Sequence, residues 1–213
     1  NGLVDLQTGK LGAWHNSEFV TAQVPFTYND QEPAECPTWE KFLGDVLVDE
    51  SGTPDPELVS YMQRLIGYAI TGRTSEQMFI VLHGIGANGK GVLTETLAHV
   101  FGAIARTTSF NTFEVRSSDS NPPIARLASA RMVFASEGDS SKAIDSALIK
   151  RLTGQDRIEA RFLYREPFEF TPRFLVMLST NHRPNVRDHS EGYWRRIKMI
   201  PFRRYFHEHE RNR

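Results

Sequence analysis

The sequence predicts an α/β fold built on a largely parallel sheet. Three observations predict it. Continuous apolar runs recur at residues 78–82, 131–135 and 174–178, as expected of strands buried on both faces. Helix-like segments alternate with these runs, the order that gives a parallel sheet. A glycine-rich loop, read LHGIGANGKGV over residues 82–92, links the first run to a helix.

In chain order, residues 1–36 mix Gly, Asn, Thr and Pro with short apolar patches and read as short strands or irregular structure. Residues 38–47 read as a short helix started by Pro37 and Thr38. The acidic stretch 49–56, with its Gly and Pro, reads as a linker. Asp55 and Pro56 then look like the N-cap and first residue of a helix. In it Leu58, Val59, Met62, Leu65, Ile66, Ala69 and Ile70 recur at helical spacing, and Gly72 ends it. Residues 90–101, 124–130 and 144–152 read as further helices, and 197–202 as a fourth strand. Between the second and third apolar runs, residues 158–165 alternate with a strand period. Arg165-Glu166-Pro167 reads as a turn, with Phe168 and Phe170 on the return strand. Such a basic and aromatic hairpin suits a nucleic-acid strand. It equally suits an edge hairpin that packs its aromatics on the core.

The 213 residues are enough for one good core with a small appendage. No apolar run approaches the roughly 20 residues of a membrane span. Cys36 is the only cysteine, which excludes an internal disulfide and a cysteine zinc site and fits a reducing, cytoplasmic setting. The net charge of −1 conceals an asymmetry. Residues 150–213 hold 15 Lys and Arg against 8 Asp and Glu, a net +7, which leaves −8 for residues 1–149. A basic third of this kind points to a polyanion partner or to a solvated charged face.

The frame Gly84-x-x-x-x-Gly89-Lys90 is the phosphate-binding P-loop pattern. Its glycines allow tight turns and close approach of backbone to ligand. The N–H groups of Gly84, Ile85, Gly86, Ala87, Asn88, Gly89, Lys90, Gly91 and Val92 are candidates to cradle phosphates at a helix N-terminus. Lys90 is placed for the β- and γ-phosphates. The next residue is usually Ser or Thr, whose hydroxyl binds Mg²⁺; here it is Gly91, with Thr94 about a turn further on as a substitute. The strand 131–135 leads into Glu137, a carboxylate at a strand end that suits Mg²⁺ binding, directly or through water, or polarisation of the attacking water. Asp139 is close enough to help. The strand 174–178 leads into Asn181, whose amide suits the γ-phosphate or the lytic water.

Five strings in this order resemble the superfamily 3 helicases: HGIGANGKG, RMVFASEGD, IDSALIKRLTGQDRIEARFLYREPFEF, FLVMLSTNHRP and GYWRRIKMIPF. The similarity is greatest to the C-terminal helicase module of phage and plasmid primases, with poxvirus-type primase–helicase relatives. It extends upstream through NGLVDLQTGKL and CPTWEKFL. The resemblance implies an AAA+-type ATPase domain over 55–213, truncated at its C-terminus, and a small N-terminal family region over 1–54. It implies ATP and Mg²⁺ as cofactors, a homo-hexameric ring, and 3′ to 5′ translocation on single-stranded or forked DNA, with the primase module elsewhere in a longer protein. By motif position Lys90 is the Walker A lysine, Glu137 the Walker B acid and Asn181 the motif C sensor. Residues 150–165, with Lys150, Arg161 and Arg165, match the region whose hairpin touches DNA. Arg195 matches the arginine finger that reaches a neighbouring subunit's ATP, and Arg196 is the alternative. A nucleotide-gated DNA-binding scaffold with weak turnover competes with the helicase reading. A small-molecule kinase is disfavoured by Arg195-Arg196 and by the basic hairpin.

Overall fold

The computed structural model describes residues 2–14, 20–29, 35–115, 122–136, 143–182 and 185–211. Near the N-terminus β1 (Leu3–Val4) and β2 (Leu11–Gly12) pair antiparallel as a small ribbon. Two helices follow, α1 (Pro37–Val46) and α2 (Pro56–Thr71). The Asp55 carboxylate accepts from the Leu58 N–H at 3.0 Å, Pro56 sits in the first turn, and Gly72 closes α2 in the left-handed conformation at φ 67°, each as the sequence implies.

The remaining elements are β3 (Phe79–His83), α3 (Lys90–Phe101), β4 (Ala105–Ser109), α4 (Pro122–Ala125), β5 (Met132–Ser136), α5 (Ser146–Thr153), β6 (Ile158–Ala160), β7 (Phe168–Phe170), β8 (Leu175–Thr180), α6 (Glu191–Trp194) and β9 (Ile197–Pro201). Five strands form one parallel sheet in the order β4-β5-β8-β3-β9. The P-loop strand β3 lies inside this sheet, between β8 and β9.

Side-chain alternation divides the core between the two faces. Phe79, Val81, Val133, Ala135, Val176 and Leu178 face a cluster with Phe113, Ile149, Leu152 and Tyr193. Ile80, Leu82, Met132, Phe134, Leu175 and Met177 face Leu43 and Val46 of α1, Met62 and Leu65 of α2, and Leu93 and Leu97 of α3. The three central strands therefore bury both faces, which is why their sequences are unbroken apolar runs. The same clusters show α1 sharing the core of the sheet.

Two expectations are corrected, and one strand was not anticipated. The helix expected over 124–130 is a single turn, α4, followed by hydrogen-bonded turns from 126 to 129. Leu127 and Ala130 are still buried at this end, so the apolar spacing reports packing and not helix length. Strand β4 escapes the pattern entirely: it is an edge strand, ARTTS, with only Ala105 buried. The hairpin is shorter than the alternation implies. β6 ends at Ala160, and residues 161–167 form a loop between it and β7, with Ala160 opposite Phe168.

Candidate nucleotide site

Parallel strands deliver their C-terminal ends to one edge of the sheet, where open α/β folds place their ligands. Here His83 of β3 stands beside Thr180 of β8, and Ser136 of β5 beside Ser179. The loop 84–89 leaves β3 at this edge and enters α3. A cavity of about 450 Å³ opens between them, lined by residues 86–92, Glu95, Ser136, Ser179, Thr180 and Asn181.

The loop conformation depends on its glycines. A Cβ on Gly84 would lie 2.2 Å from Asn88 Nδ2 and 2.4 Å from the Phe202 carbonyl oxygen. Gly89 adopts φ +86°, and a Cβ there would lie 2.5 Å from Val46 Cγ1 of α1. Helix α1 thus braces the loop from behind. The chain after β9 braces it from the side: the Phe206 N–H donates to the Ala87 carbonyl at 2.8 Å, and Asn88 Nδ2 donates to the Phe202 carbonyl at 3.4 Å. Gly89→Ala is expected to be strained twice, by its left-handed backbone and by Val46, at a combined cost of about 1–3 kcal/mol. A melting temperature lowered by several degrees is expected. An unchanged melting temperature would show that the loop does not hold this turn.

No side chain caps the start of α3, whose N-cap is Gly89. Residues 89–92 of this first turn line the cavity, the place an anion site requires. Lys90 is buried, at 6% exposure. Its ammonium donates to the Gly84 carbonyl at 2.7 Å, to Asn88 Oδ1 at 3.0 Å and to Asn181 Oδ1 at 3.1 Å. The structure thus brings together Lys90 and Asn181, which lie 91 residues apart. Gly91 is open: an added Cβ would meet only Glu95 Oε1, at 4.0 Å. The Thr94 hydroxyl donates to the Lys90 and Gly91 carbonyls within its own helix. Glu137 and Asp139 lie outside the described residues.

Lys150 ion-pairs with Asp188 Oδ2 at 2.7 Å and donates to Ser190 Oγ at 2.9 Å, tying α5 to the segment before α6. The Lys150 hydrogen bond, and then the Ser190 N–H, hold the Asp188 carboxyl well below the usual carboxylate range. A lowered pKa means that this contribution is full above the ordinary carboxylate range and fades only as the pH falls below it. The structure therefore gives Lys150 an internal partner that the sequence did not reveal. Arg161 and Arg165 are exposed and lie within the 161–167 loop, where Leu163 is 68% exposed and Tyr164 fully so. Phe162 stacks on Phe168, with centroids 5.6 Å apart, and anchors the loop.

The two candidate finger arginines differ. Arg196 is buried; its Nε donates to Thr153 Oγ1 at 3.1 Å and its guanidinium also bonds the Gly192 carbonyl. Burial, and then the Arg195 charge, lower its pKa. Arg195 is exposed and donates to Gln77 Oε1 at 2.6 Å. Both lie at the start of β3 and β9, since the Phe79 N–H donates to the Arg196 carbonyl. That is the opposite edge of the sheet from the cavity, across the length of β3, roughly 15 Å.

The family described as "Family of unknown function (DUF5906)" matches residues 82–196, and "D5 N terminal like" matches residues 1–48. The chain is 35% identical over 159 residues to the Acanthamoeba polyphaga mimivirus protein named "Putative helicase L207/L206", covering 73% of this chain and 17% of that one. It is 26% identical over 216 residues to "Putative helicase 121R" of Invertebrate iridescent virus 3, covering 97% and 22%. The chain thus spans about a fifth of the length of these curated relatives. In fold it is similar to the apo structure of the NrS-1 C-terminal region, with a TM-score of 0.59 at 16% identity, over 90% of this chain and 47% of that one. The match covering the cavity loop through Arg196 spans more than half of the chain, which therefore belongs to the DUF5906 family and is a relative of the superfamily 3 helicases.

Proposed function

We propose that the chain is the ATP-hydrolysing module of a DNA helicase, working at the subunit interfaces of a homo-hexameric ring. The observation that carries this reading is the cavity at the strand ends, where the Lys90 ammonium and the Asn181 amide meet beneath a P-loop. Lys90 would exchange the internal oxygens that hold it for the β- and γ-phosphates of ATP. The uncapped first turn of α3 would hold the same anion. Asn181 would orient the attacking water.

Described donors on the cavity wall that could face a cation are oxygens: the Glu95 carboxylate, the Ser136 hydroxyl and the Asn181 amide oxygen. That set fits Mg²⁺, a hard cation that keeps several waters and binds largely through substrate phosphates. Glu137 and Asp139 would hold it, directly or through water, and it would neutralise charge developing on the phosphates.

Arg161 and Arg165 would grip the phosphates of single-stranded or forked DNA, with Tyr164 free to stack on a base. Neither arginine forms an ion pair among the described residues, and this supports the assignment. Lys150, held by Asp188, would contribute less. By resemblance the direction is 3′ to 5′, and a primase module belongs elsewhere in a longer protein. Arg161→Ala and Arg165→Ala are each expected to weaken DNA binding and to flatten its salt dependence by roughly one unit of slope. Unchanged affinity and slope in both would make the loop structural.

A nucleotide-gated DNA-binding scaffold is the second reading, favoured by Gly91, which offers the metal no hydroxyl. ATPase rates with and without single-stranded DNA decide between them. Strong stimulation, together with unwinding of a forked duplex, is the helicase result. Tight ATP binding with slow turnover that DNA does not change is the scaffold result. No helix among the described residues is long and apolar enough to cross a membrane.

A further inference from the structure

Ser179 differs from the other residues that line the cavity. Its hydroxyl oxygen is buried without a hydrogen-bond partner, the only such side-chain atom among the described residues. A buried hydroxyl left unpaired costs the folded protein free energy, and it calls for an explanation in what the site binds.

The register fixes which way Ser179 faces. It lies opposite Ser136 on one side and Leu82 on the other. Leu82, and Met177 two residues before Ser179, pack with Leu93 and Leu97 of α3. Ser179 is therefore on the α3 face of the sheet, below the start of the helix that carries Lys90. Two residues further on, Asn181 accepts a hydrogen bond from Lys90. Since the lysine of a P-loop reaches the β- and γ-phosphates, this strand end lies at the terminal-phosphate end of a bound nucleotide. The residue is half-buried on the cavity wall, and a serine side chain turns between staggered χ1 wells. The hydroxyl can thus turn from the wall toward the ligand.

We propose that the Ser179 hydroxyl donates a hydrogen bond to a terminal-phosphate oxygen of a bound nucleoside triphosphate. It would supply from β8 a hydroxyl contact at the end of the pocket where Gly91 offers none. The proposal rests on the nucleotide-binding reading above and adds to it a residue that discriminates triphosphate from diphosphate.

The test is Ser179→Ala, with Lys90→Ala alongside. Melting temperature is measured without nucleotide, and affinities for ADP and for a non-hydrolysable ATP analogue are measured by calorimetry. Ser179→Ala is expected to melt no lower than the unmodified protein, because it deletes an unpaired group. It is expected to bind the analogue about tenfold more weakly, the effect of one hydrogen bond to a charged oxygen, and ADP within about twofold of the unmodified affinity. A lower melting temperature would mean that the hydroxyl is already paired in the free protein, and would overturn the proposal. So would unchanged analogue affinity, or an equal loss for ADP. If Lys90→Ala loses analogue binding while Ser179→Ala keeps it, the Ser179 contact alone is wrong. If the unmodified protein binds neither nucleotide, the nucleotide reading and the contact fall together.

Discussion

Replacing Lys90 by alanine is expected to weaken ATP binding by about a hundredfold or more. The ammonium is the one positive side chain on the described cavity wall. Two charge-assisted hydrogen bonds to phosphate, each contributing about 1.5–3 kcal/mol, exceed the 2.7 kcal/mol or so that a hundredfold change requires. The substitution also strips a donor from the Gly84 carbonyl, Asn88 Oδ1 and Asn181 Oδ1. Some loss of stability in the free protein should therefore accompany the loss of binding. Glu137→Gln makes the contrast. Its amide keeps the shape of the carboxylate without its charge or basicity, so nucleotide should still bind while hydrolysis stops. Calorimetric titration of each variant with ATP, next to a phosphate-release assay, separates the two effects. Equal loss of binding in both would remove Glu137 from its proposed role in hydrolysis.

The parts of this fold that were legible in the sequence are those where one local rule decides the outcome. Strands β3, β5 and β8 are buried on both faces along their apolar stretches, and burial leaves an apolar signature that needs no partner to interpret. Helix α2 carries its own boundaries, because the Asp55 cap and the left-handed Gly72 are local chemistry. Edge position hides β4: with solvent beside most of Arg106–Ser109, nothing forces those residues to be apolar. The hairpin reads too long because Phe162 alternates correctly with Ala160 yet serves the loop, stacking on Phe168 across it.

The candidate site divides in the same way. The P-loop is contiguous, so its residues could be named in advance. The bracing of Gly89 by Val46 is not contiguous and depends on the fold placing α1 behind the loop. Lys150 resembled any basic residue near a hairpin until Asp188 took its charge. Ser179 gave no signal at all, since an unpaired hydroxyl is defined by what surrounds it. Arg195 and Arg196 are adjacent and chemically identical in sequence, and burial and hydrogen-bond partners distinguish them.

That distinction leads to the second large effect. Arg195→Ala is expected to keep ATP binding and to lose hydrolysis by about 10³-fold or more, the range in which an arginine finger stabilises charge in phosphoryl transfer. If Arg195 serves this chemistry, the distance requires that it do so from a neighbouring subunit. Arg195 sits at the start of β3, and the cavity opens past its end, so β3 alone separates them by roughly 15 Å, more than an arginine side chain can span. A partner in a ring could bring its own Arg195 to the open side of the cavity, where the described wall offers no cation other than Lys90. The contact with Gln77 is exposed and gives up easily, whereas Arg196 would have to leave Thr153 and the Gly192 carbonyl. The decisive measurement mixes two inactive variants. Subunits carrying Arg195→Ala keep an intact P-loop, and subunits carrying Lys90→Ala keep an intact finger. Where the two adjoin in the right order, one complete site forms, and part of the ATPase activity should return. Arg195→Lys should restore little, because an ammonium lacks the planar fork that spans two phosphate oxygens. If mixed rings assemble and remain inactive, Arg195 does not act in trans, and the same mixture built with Arg196→Ala becomes the next experiment.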